Sequence, residues 1–314
     1  VRVRQVRHYL TDISLSWYRQ SSTARMMVTM ARTILVTGAG GHVGRSLVDQ
    51  LAAKGARVRA SGRNPARLTL PDGVERVRAD LTEPDTLPAA LDGVDAAFVY
   101  AVPAGAEAFV TAAVQAGVRH VVLLSSHTLH EVADMPQRQP IADMHEAVEH
   151  AIIDAGLPYT FLQPANFASN TLLWGWADTI RAEGVVRFPY PESYSDAIHE
   201  ADIAAVAAAV LTEPEQHVGE SYFISGPRPI TQREQAAAIA DAIGRPVRIE
   251  ELTPDQSREY LRRIVPEWVI EATIAWWAAT DGVPCEVTDL VAKLTGAPAR
   301  PFTQWAADHV ADFR

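Results

Sequence analysis

Lysine is almost missing from this chain: Lys54 and Lys293 are its only two, and every other fixed cation is an arginine. A mechanism that leans on a lysine therefore has two positions to choose from. Cysteine is scarcer still. Cys285 stands alone, which excludes an internal disulfide, fits a reducing cytoplasm and leaves the thiol as a small packed hydrophobe. No apolar run approaches the roughly 18 residues that a membrane span needs, so no membrane partner is expected. There is no internal repeat. What is present is ordinary: hydrophobic residues make up 48%, enough for a sizeable core. The length suits one large α/β domain or a domain with an appended lobe.

Residues 1–30 differ from the rest. Arg2, Arg4, Arg7, Arg19 and Arg25 lie among polar residues, and no apolar segment follows them as in a signal peptide. Met26, Met27 and Met30 stand just before the first apolar stretch. The segment reads as a disordered extension or a misassigned start. Without it the body holds 23 basic residues against 37 acidic ones. Such an acidic body argues against a broad nucleic-acid surface.

The stretch that organises the chain is Thr33 to Val48, where an apolar run meets a glycine cluster and a helical pattern leaves it. Gly38, Gly41 and Gly44 fall three apart. The first permits a tight turn off a strand, the second lets backbone N–H groups approach a pyrophosphate, and the third lets the helix lie close to the sheet. A helix starting near Gly41 aims unpaired N–H groups at those phosphates. A second strand follows on schedule at Arg57–Ser61, after a helix over Arg45–Lys54 ended by Gly55, which makes a dinucleotide site the stronger reading.

The end of that second strand bears on the cofactor. NAD-preferring sites place Asp or Glu there for the ribose 2′-hydroxyl. Here Ser61 and Arg63 stand instead, and a hydroxyl and a guanidinium suit a 2′-phosphate. The residues favour NADP(H), with NAD(H) possible; the plainer reading of Arg63 is a solvated loop arginine. A third strand, Val74–Ala79, closes with Asp80 and Leu81, and Asp80 either accepts from an adenine amino group or caps a turn.

A fourth strand is expected over Asp95–Tyr100, a small-residue crossing of the cofactor over Ala101–Gly105, a helix over Phe109–Ala116 and a fifth strand over Val118–Ser125. A helix over Ile141–Ala155 and a sixth strand over Tyr159–Gln163 complete a doubly wound parallel α/β sheet of the Rossmann type. Beyond it, Trp174, Trp176, Tyr190 and Tyr194 punctuate a looser region, read as the substrate lobe or as mere core. An alanine-rich helix at His199–Leu211, a late strand at Ser221–Ser225 and a helix at Thr231–Ile243 with a Thr231–Glu234 capping box follow. The end is helical, with Trp268, Trp276, Trp277 and Trp305 as expected core of that cap. The division expected is 31–165 for the NADP(H)-binding core and 166–314 for a smaller, mostly helical substrate lobe interleaved with it.

Four segments together carry a resemblance: Val36-Thr-Gly-Ala-Gly-Gly-His-Val-Gly44, Ser61-Gly-Arg-Asn-Pro65, His145-Glu-Ala-Val-Glu149 and Tyr159-Thr-Phe-Leu-Gln-Pro-Ala-Asn-Phe167. The chain resembles the NmrA-like atypical short-chain dehydrogenases/reductases over roughly residues 31–312, the tail Phe302-Thr-Gln-Trp305 included. That family holds NADPH-dependent quinone, azo-compound and triphenylmethane-dye reductases, and non-enzymatic redox sensors. The resemblance implies that Gly38, Gly41, His42, Val43 and Gly44 line the pyrophosphate. It puts Arg63 at the 2′-phosphate and adenine, Asp80 and Leu81 by the adenine, and Ala101 and Val102 under the nicotinamide ribose. Pro164, Asn166 and Phe167 would face the nicotinamide. His145 would stand where ordinary short-chain dehydrogenases keep a catalytic tyrosine. Gln163 departs from the arginine that relatives often carry, so an anion contact from there is in doubt.

Ordinary short-chain dehydrogenases donate a proton from Tyr-x-x-x-Lys, whose lysine lowers the tyrosine pKa. Neither Lys54 nor Lys293 follows a tyrosine at that spacing. His145 and Glu149 lie four apart on one helix face, so the carboxylate could orient an imidazole that titrates near neutrality, or the two only pack near the cofactor. Ser126 and Thr128 could hydrogen-bond a substrate oxygen or merely cap a loop. Hydride transfer without a strong acid suits a small conjugated acceptor such as a quinone or azo compound. A non-enzymatic NADP(H) sensor working through a protein partner is the alternative. A nucleotide-sugar epimerase or dehydratase shares the dinucleotide half but suffers from the missing motif. No metal is expected.

Overall fold

The computed structural model describes residues 32–131 and 133–314; the expectation for residues 1–30 lies outside them. In chain order the first half runs β1 (Thr33–Val36), α1 (His42–Ala53), β2 (Arg57–Gly62), β3 (Glu75–Arg78), α2 (Leu87–Leu91), β4 (Ala96–Tyr100), α3 (Pro103–Ala116), β5 (His120–Leu124), α4 (Gln139–Asp154) and β6 (Tyr159–Pro164). Then come α5 (Asn170–Leu173), α6 (Trp176–Glu183), β7 (Val185–Phe188), β8 (Tyr194–Ser195), α7 (Glu200–Thr212), β9 (Glu220–Ile224), β10 (Ile230–Thr231) and α8 (Gln232–Ile243). The chain closes with β11 (Arg248–Glu251), α9 (Pro254–Leu261), α10 (Glu267–Ala279), α11 (Leu290–Thr295), α12 (Phe302–Asp308) and α13 (Val310–Phe313).

Seven strands form one sheet in the order β3-β2-β1-β4-β5-β6-β9, and every pairing in it is parallel. The order turns around between β1 and β4, which opens a crevice at their carboxyl ends. Alternation along β1 shows how the two faces fill. Ile34 and Val36 pack with α1 and α7, through Leu47, Val48, Leu51, Ile203, Val206 and Val210. Leu35 points the other way, to a core that includes Leu87, Val110, Ala113, Val148 and Ile152. Strands covered on both faces read as the near-continuous apolar runs that marked them in the sequence.

The late strand expected at Ser221–Ser225 is β9, the seventh strand of this main sheet, beside β6. The remaining strands make two small sheets, an antiparallel β10–β8 pair and a parallel β11–β7 pair. Helix α8 carries its capping box: Thr231 Oγ1 accepts from Glu234 N at 3.0 Å, and Glu234 Oε2 accepts from Thr231 N at 2.8 Å. The tryptophans divide differently from expectation. Trp276 and Trp277 are buried together, but Trp268 is 45% exposed. Trp305 leaves that cluster and packs with Phe302, Ile239 and Phe313 under α8. Trp176 is core, stacked on Phe188. Cys285 is a half-buried thiol that burial pushes up to about 12, consistent with an inert packed side chain.

The small-residue segment after β4 is shorter than expected, because α3 begins at Pro103 rather than Phe109. Proline at the first helical turn sets φ in advance, and the alanines after it are good helix formers. Gly105 lies in this first turn for a steric reason. A methyl group on it would sit 2.1 Å from the carbonyl oxygen of Leu81. We expect Gly105→Ala to force α3 off the β3 loop and destabilise the fold by about 1–3 kcal/mol. Urea midpoints of the two proteins check this, and an unchanged midpoint would mean that the helix shifts freely.

Candidate functional site

At the end of β1, Thr37 N donates to Phe98 O, Gly38 turns with φ +63°, and Gly41 N donates back to Gly38 O at 2.9 Å. A methyl on Gly44 would lie 2.3 Å from that same carbonyl oxygen, so only glycine allows α1 to start here. Gly41, the N-cap of α1, brings no side-chain cap, and the first turn has no acidic residue. Its N–H groups are therefore open to an anion, with no carboxylate competing. Val43 and Gly44 are buried in that turn, whereas the His42 ring is exposed and tilts toward His309.

From this turn a groove of about 750 Å³ runs outward, lined by Gly38, Gly40, Gly41, Arg63, Asn64, Arg67, Leu68, Leu81 and Tyr100. Arg63 is exposed on its wall, as the spacing suggested. Ser61 is not available. It is fully buried, and its hydroxyl donates to Val36 O at 3.3 Å, so the expected 2′-phosphate contact from Ser61 falls away. The second cation in the groove is Arg67, which sequence reasoning missed although it stands four residues after Arg63. Asp80 caps a turn: Oδ1 accepts from Thr82 N at 3.0 Å and Thr82 Oγ1 at 2.7 Å. Those bonds hold its carboxyl below the usual range.

Tyr100 ends β4 and borders two spaces at once. Its ring lies against Gly38, and it lines both the groove and a second cavity of about 430 Å³. The carboxyl ends of β4, β5 and β6 build one side of this cavity. Ala101, Ser126, Thr128, His145, Pro164, Asn166 and Phe167 all reach it, from among the residues named in the sequence. Val102 does not; it is the N-cap of α3. Trp174 beside α5, and Val269, Ala272, Thr273 and Trp276 of α10, close the far wall.

The polar groups around the cavity are mostly committed. Glu149 does not orient His145. It accepts from Ser125 Oγ and from Gln163 Nε2, and Gln163 Oε1 meets His130 Nε2 at 3.0 Å. His145 Nδ1 has no hydrogen-bond partner among the described residues, and burial pushes its pKa down to about 4. The imidazole is thus neutral near pH 7 instead of titrating there. Burial does the same to His127, stacked on Phe223. Ser126 Oγ accepts from Thr128 N and donates to Thr128 Oγ1, which also accepts from Arg138 Nη2 at 2.7 Å. The two hydroxyls therefore serve the loop first.

Arg138 and Glu131 are the chemistry that the sequence hid. Arg138 is buried, lies 4.7 Å over the Trp276 ring and pairs with Glu131 at 2.9 Å. Burial outweighs that guanidinium and pushes Glu131 up to about 7. Nearby Asp196, fully buried and raised by its burial, accepts from the backbone and side chain of Asn166 at 3.1 and 3.0 Å. Neither Glu131 nor Arg138 sits in a periodic segment, so no local pattern announced them.

Comparison with known proteins agrees with this geometry. The NAD(P)H-binding family profile matches residues 38–214. A (4-alkanoyl-5-oxo-2,5-dihydrofuran-3-yl)methyl phosphate reductase from Streptomyces griseus is 41% identical, covering 89% of this chain and 99% of the relative. An NAD(P)H azoreductase from Xenophilus azovorans is 35% identical over 89% of this chain and 99% of its own length. The NADP(H) complex of a Citrobacter triphenylmethane reductase superposes with a TM-score of 0.72 at 26% identity, covering 88% of this chain and 99% of that one. No described helix is long and apolar enough to cross a membrane. This chain belongs to the NAD(P)H-binding family, among its NmrA-like oxidoreductases.

Proposed function

We propose that this protein is an NADPH-dependent reductase that transfers hydride to a small, conjugated acceptor. The observation that carries the reading is Tyr100, which joins the dinucleotide groove to a mostly apolar cavity large enough for a flat molecule. Residues 31–165 then hold the cofactor, while much of the cavity's outer wall comes from 166–314. Arg63 and Arg67 on the groove wall favour the 2′-phosphate of NADPH over NADH. The complex of the triphenylmethane reductase with NADP(H) supports the same choice.

When bound, NADPH supplies the hydride. The chain's part is to orient the acceptor, exclude water and manage one proton. Quinones and azo compounds fit, and so does a dihydrofuranone whose double bond carries two conjugated carbonyls on one carbon, as in the name of the Streptomyces relative. Each leaves a delocalised anion after accepting hydride, so a strong acid is not needed. Neutral His145 offers a hydrogen bond. Glu131, raised to about 7, holds a proton in the cavity wall on the acidic side of neutrality.

Four measurements test this reading. Titration with NADPH and NADH, followed by a panel of quinones, azo dyes and dihydrofuranone phosphates, should give tight NADPH binding and turnover on at least one class. Tight binding without turnover would move the protein to the sensor reading. Arg63→Ala should weaken NADPH binding by roughly tenfold to a hundredfold and leave NADH nearly unchanged, since a charge-assisted contact is worth about 1.5–3 kcal/mol. Glu131 gives up its proton as pH rises through about 7, so turnover should fall across that range, and Glu131→Gln should flatten the fall. His145→Ala should lower turnover by about tenfold without changing the pH profile, within or below the range of an acid–base group. A lost pH limb in that variant would return the titrating role to His145.

A further inference from the structure

Outside both cavities, three side chains from distant parts of the chain converge beside the glycine turn. His42 opens α1, Glu200 opens α7 and His309 lies between α12 and α13. One ligating atom from each lies within 4.8 Å of the other two. Glu200 is buried, His309 half-buried and His42 exposed, so the cluster has a closed floor and a rim open to solvent.

The surrounding contacts already orient these groups. Glu200 Oε2 accepts from Trp305 Nε1 at 3.0 Å, and Oε1 lies 2.6 Å from His309 Nε2. His309 Nδ1 lies 2.8 Å from Asp312 Oδ2. At 2.6 Å His309 Nε2–H donates to Glu200 Oε1, and a cation that takes both atoms replaces the shared proton, which is released to water. A carboxylate behind a histidine is also the usual outer support of a metal-bound imidazole. His199 lies nearby but is committed elsewhere: its Nδ1 accepts from Ala201 N at 3.1 Å at the start of α7, and its Nε2 is held at 3.2 Å by Asp308.

We infer that His42, Glu200 and His309 form a binding site for a divalent transition-metal ion, held from behind by Asp312 and Trp305. Two imidazole nitrogens and one carboxylate oxygen are the donor set of Zn²⁺, and Co²⁺ takes the same ligands. Metal bonds of about 2.0–2.1 Å require ligand atoms about 3.3 Å apart in a tetrahedron. The Glu200–His309 pair opens slightly to reach that spacing, and the exposed His42 ring swings inward. The remaining position faces solvent beside the phosphate-binding turn. A bound ion would tie three segments together: the helix that follows the glycine turn, the start of α7 and the C-terminal tail. Hydride transfer does not require it.

The test uses the full-length protein stripped of metal with a chelator. Titration with Co²⁺ should show one equivalent with the visible absorption of a four-coordinate ion, and Zn²⁺ should displace it and raise Tm by mass action. His42→Ala, at an exposed position, should weaken Zn²⁺ binding by at least tenfold. His42→Cys should restore binding and add a thiolate-to-cobalt absorption band. His309→Ala should abolish the site; because it also loosens the tail, the His42 pair carries the decision. The proposal is overturned if Co²⁺ binds without stoichiometry, or if His42→Ala binds Zn²⁺ as tightly as the parent.

Discussion

The rest of the structure hangs on how closely α1 approaches the end of β1. The carbonyl oxygen of Gly38 accepts from Gly41 and sits where a side chain of Gly44 would begin. That contact lets a helix start almost as soon as the strand ends. Its uncapped N-terminus then opens beside the crevice where the strand order reverses. Leu47, Val48 and Leu51, one and two turns along, hold α1 down against α7 and the sheet. A second backbone approach, Gly105 on Leu81 O, sets α3 across the other side of the same crevice. Groove walls built by glycine packing cannot be reshaped by side-chain rotation, which suits one constant cofactor better than a variable substrate.

The cavity beyond Tyr100 follows a different logic. Its walls come from strand ends, α4, α5 and α10, and its charges are buried as partners. Arg138 is matched by Glu131, by Thr128 and by the face of Trp276. A lone buried cation would be costly, whereas this set leaves the space nearly neutral once Glu131 is ionised, above about pH 7. The same desolvation keeps His127 and His145 uncharged and raises Glu131. Burial, more than any single ion pair, sets the protonation states here. An uncharged, largely apolar space favours flat neutral or delocalised acceptors.

Sequence reasoning reached the groove more fully than the cavity. A strand, three spaced glycines and a helix are adjacent in the chain, so local order carried Gly38, Gly41 and Gly44 directly to one turn. Arg63 followed because the end of β2 has a fixed place in such a sheet. Ser61 failed because alternation along β2 groups it with Arg57 and Arg59, whereas the end of the strand is covered on both faces and its hydroxyl takes an internal acceptor. Cavity residues meet only through tertiary structure. Glu131 and Arg138 share the segment between β5 and α4, but Tyr100 ends β4 and Trp276 lies in α10, so only the folded chain brings the four together. His145 and Glu149 share a helix face, as their spacing requires, but Ser125 and Gln163 take the carboxylate from other strands.

The missing tyrosine–lysine pair narrows the chemistry less than it first suggests. A general acid contributes about 10²–10⁴-fold, or roughly 3–5 kcal/mol. Orienting two reactants in a dry site contributes about 7–11 kcal/mol. A cavity that aligns an acceptor against a cofactor fixed by the α1 turn therefore keeps the larger share. An isolated carbonyl makes a further demand, because its alkoxide must be protonated as it forms. An acceptor that spreads the incoming charge over a ring or a pair of carbonyls avoids that demand. The absence of two residues from the sequence and the neutrality of the cavity thus select the same class of molecule.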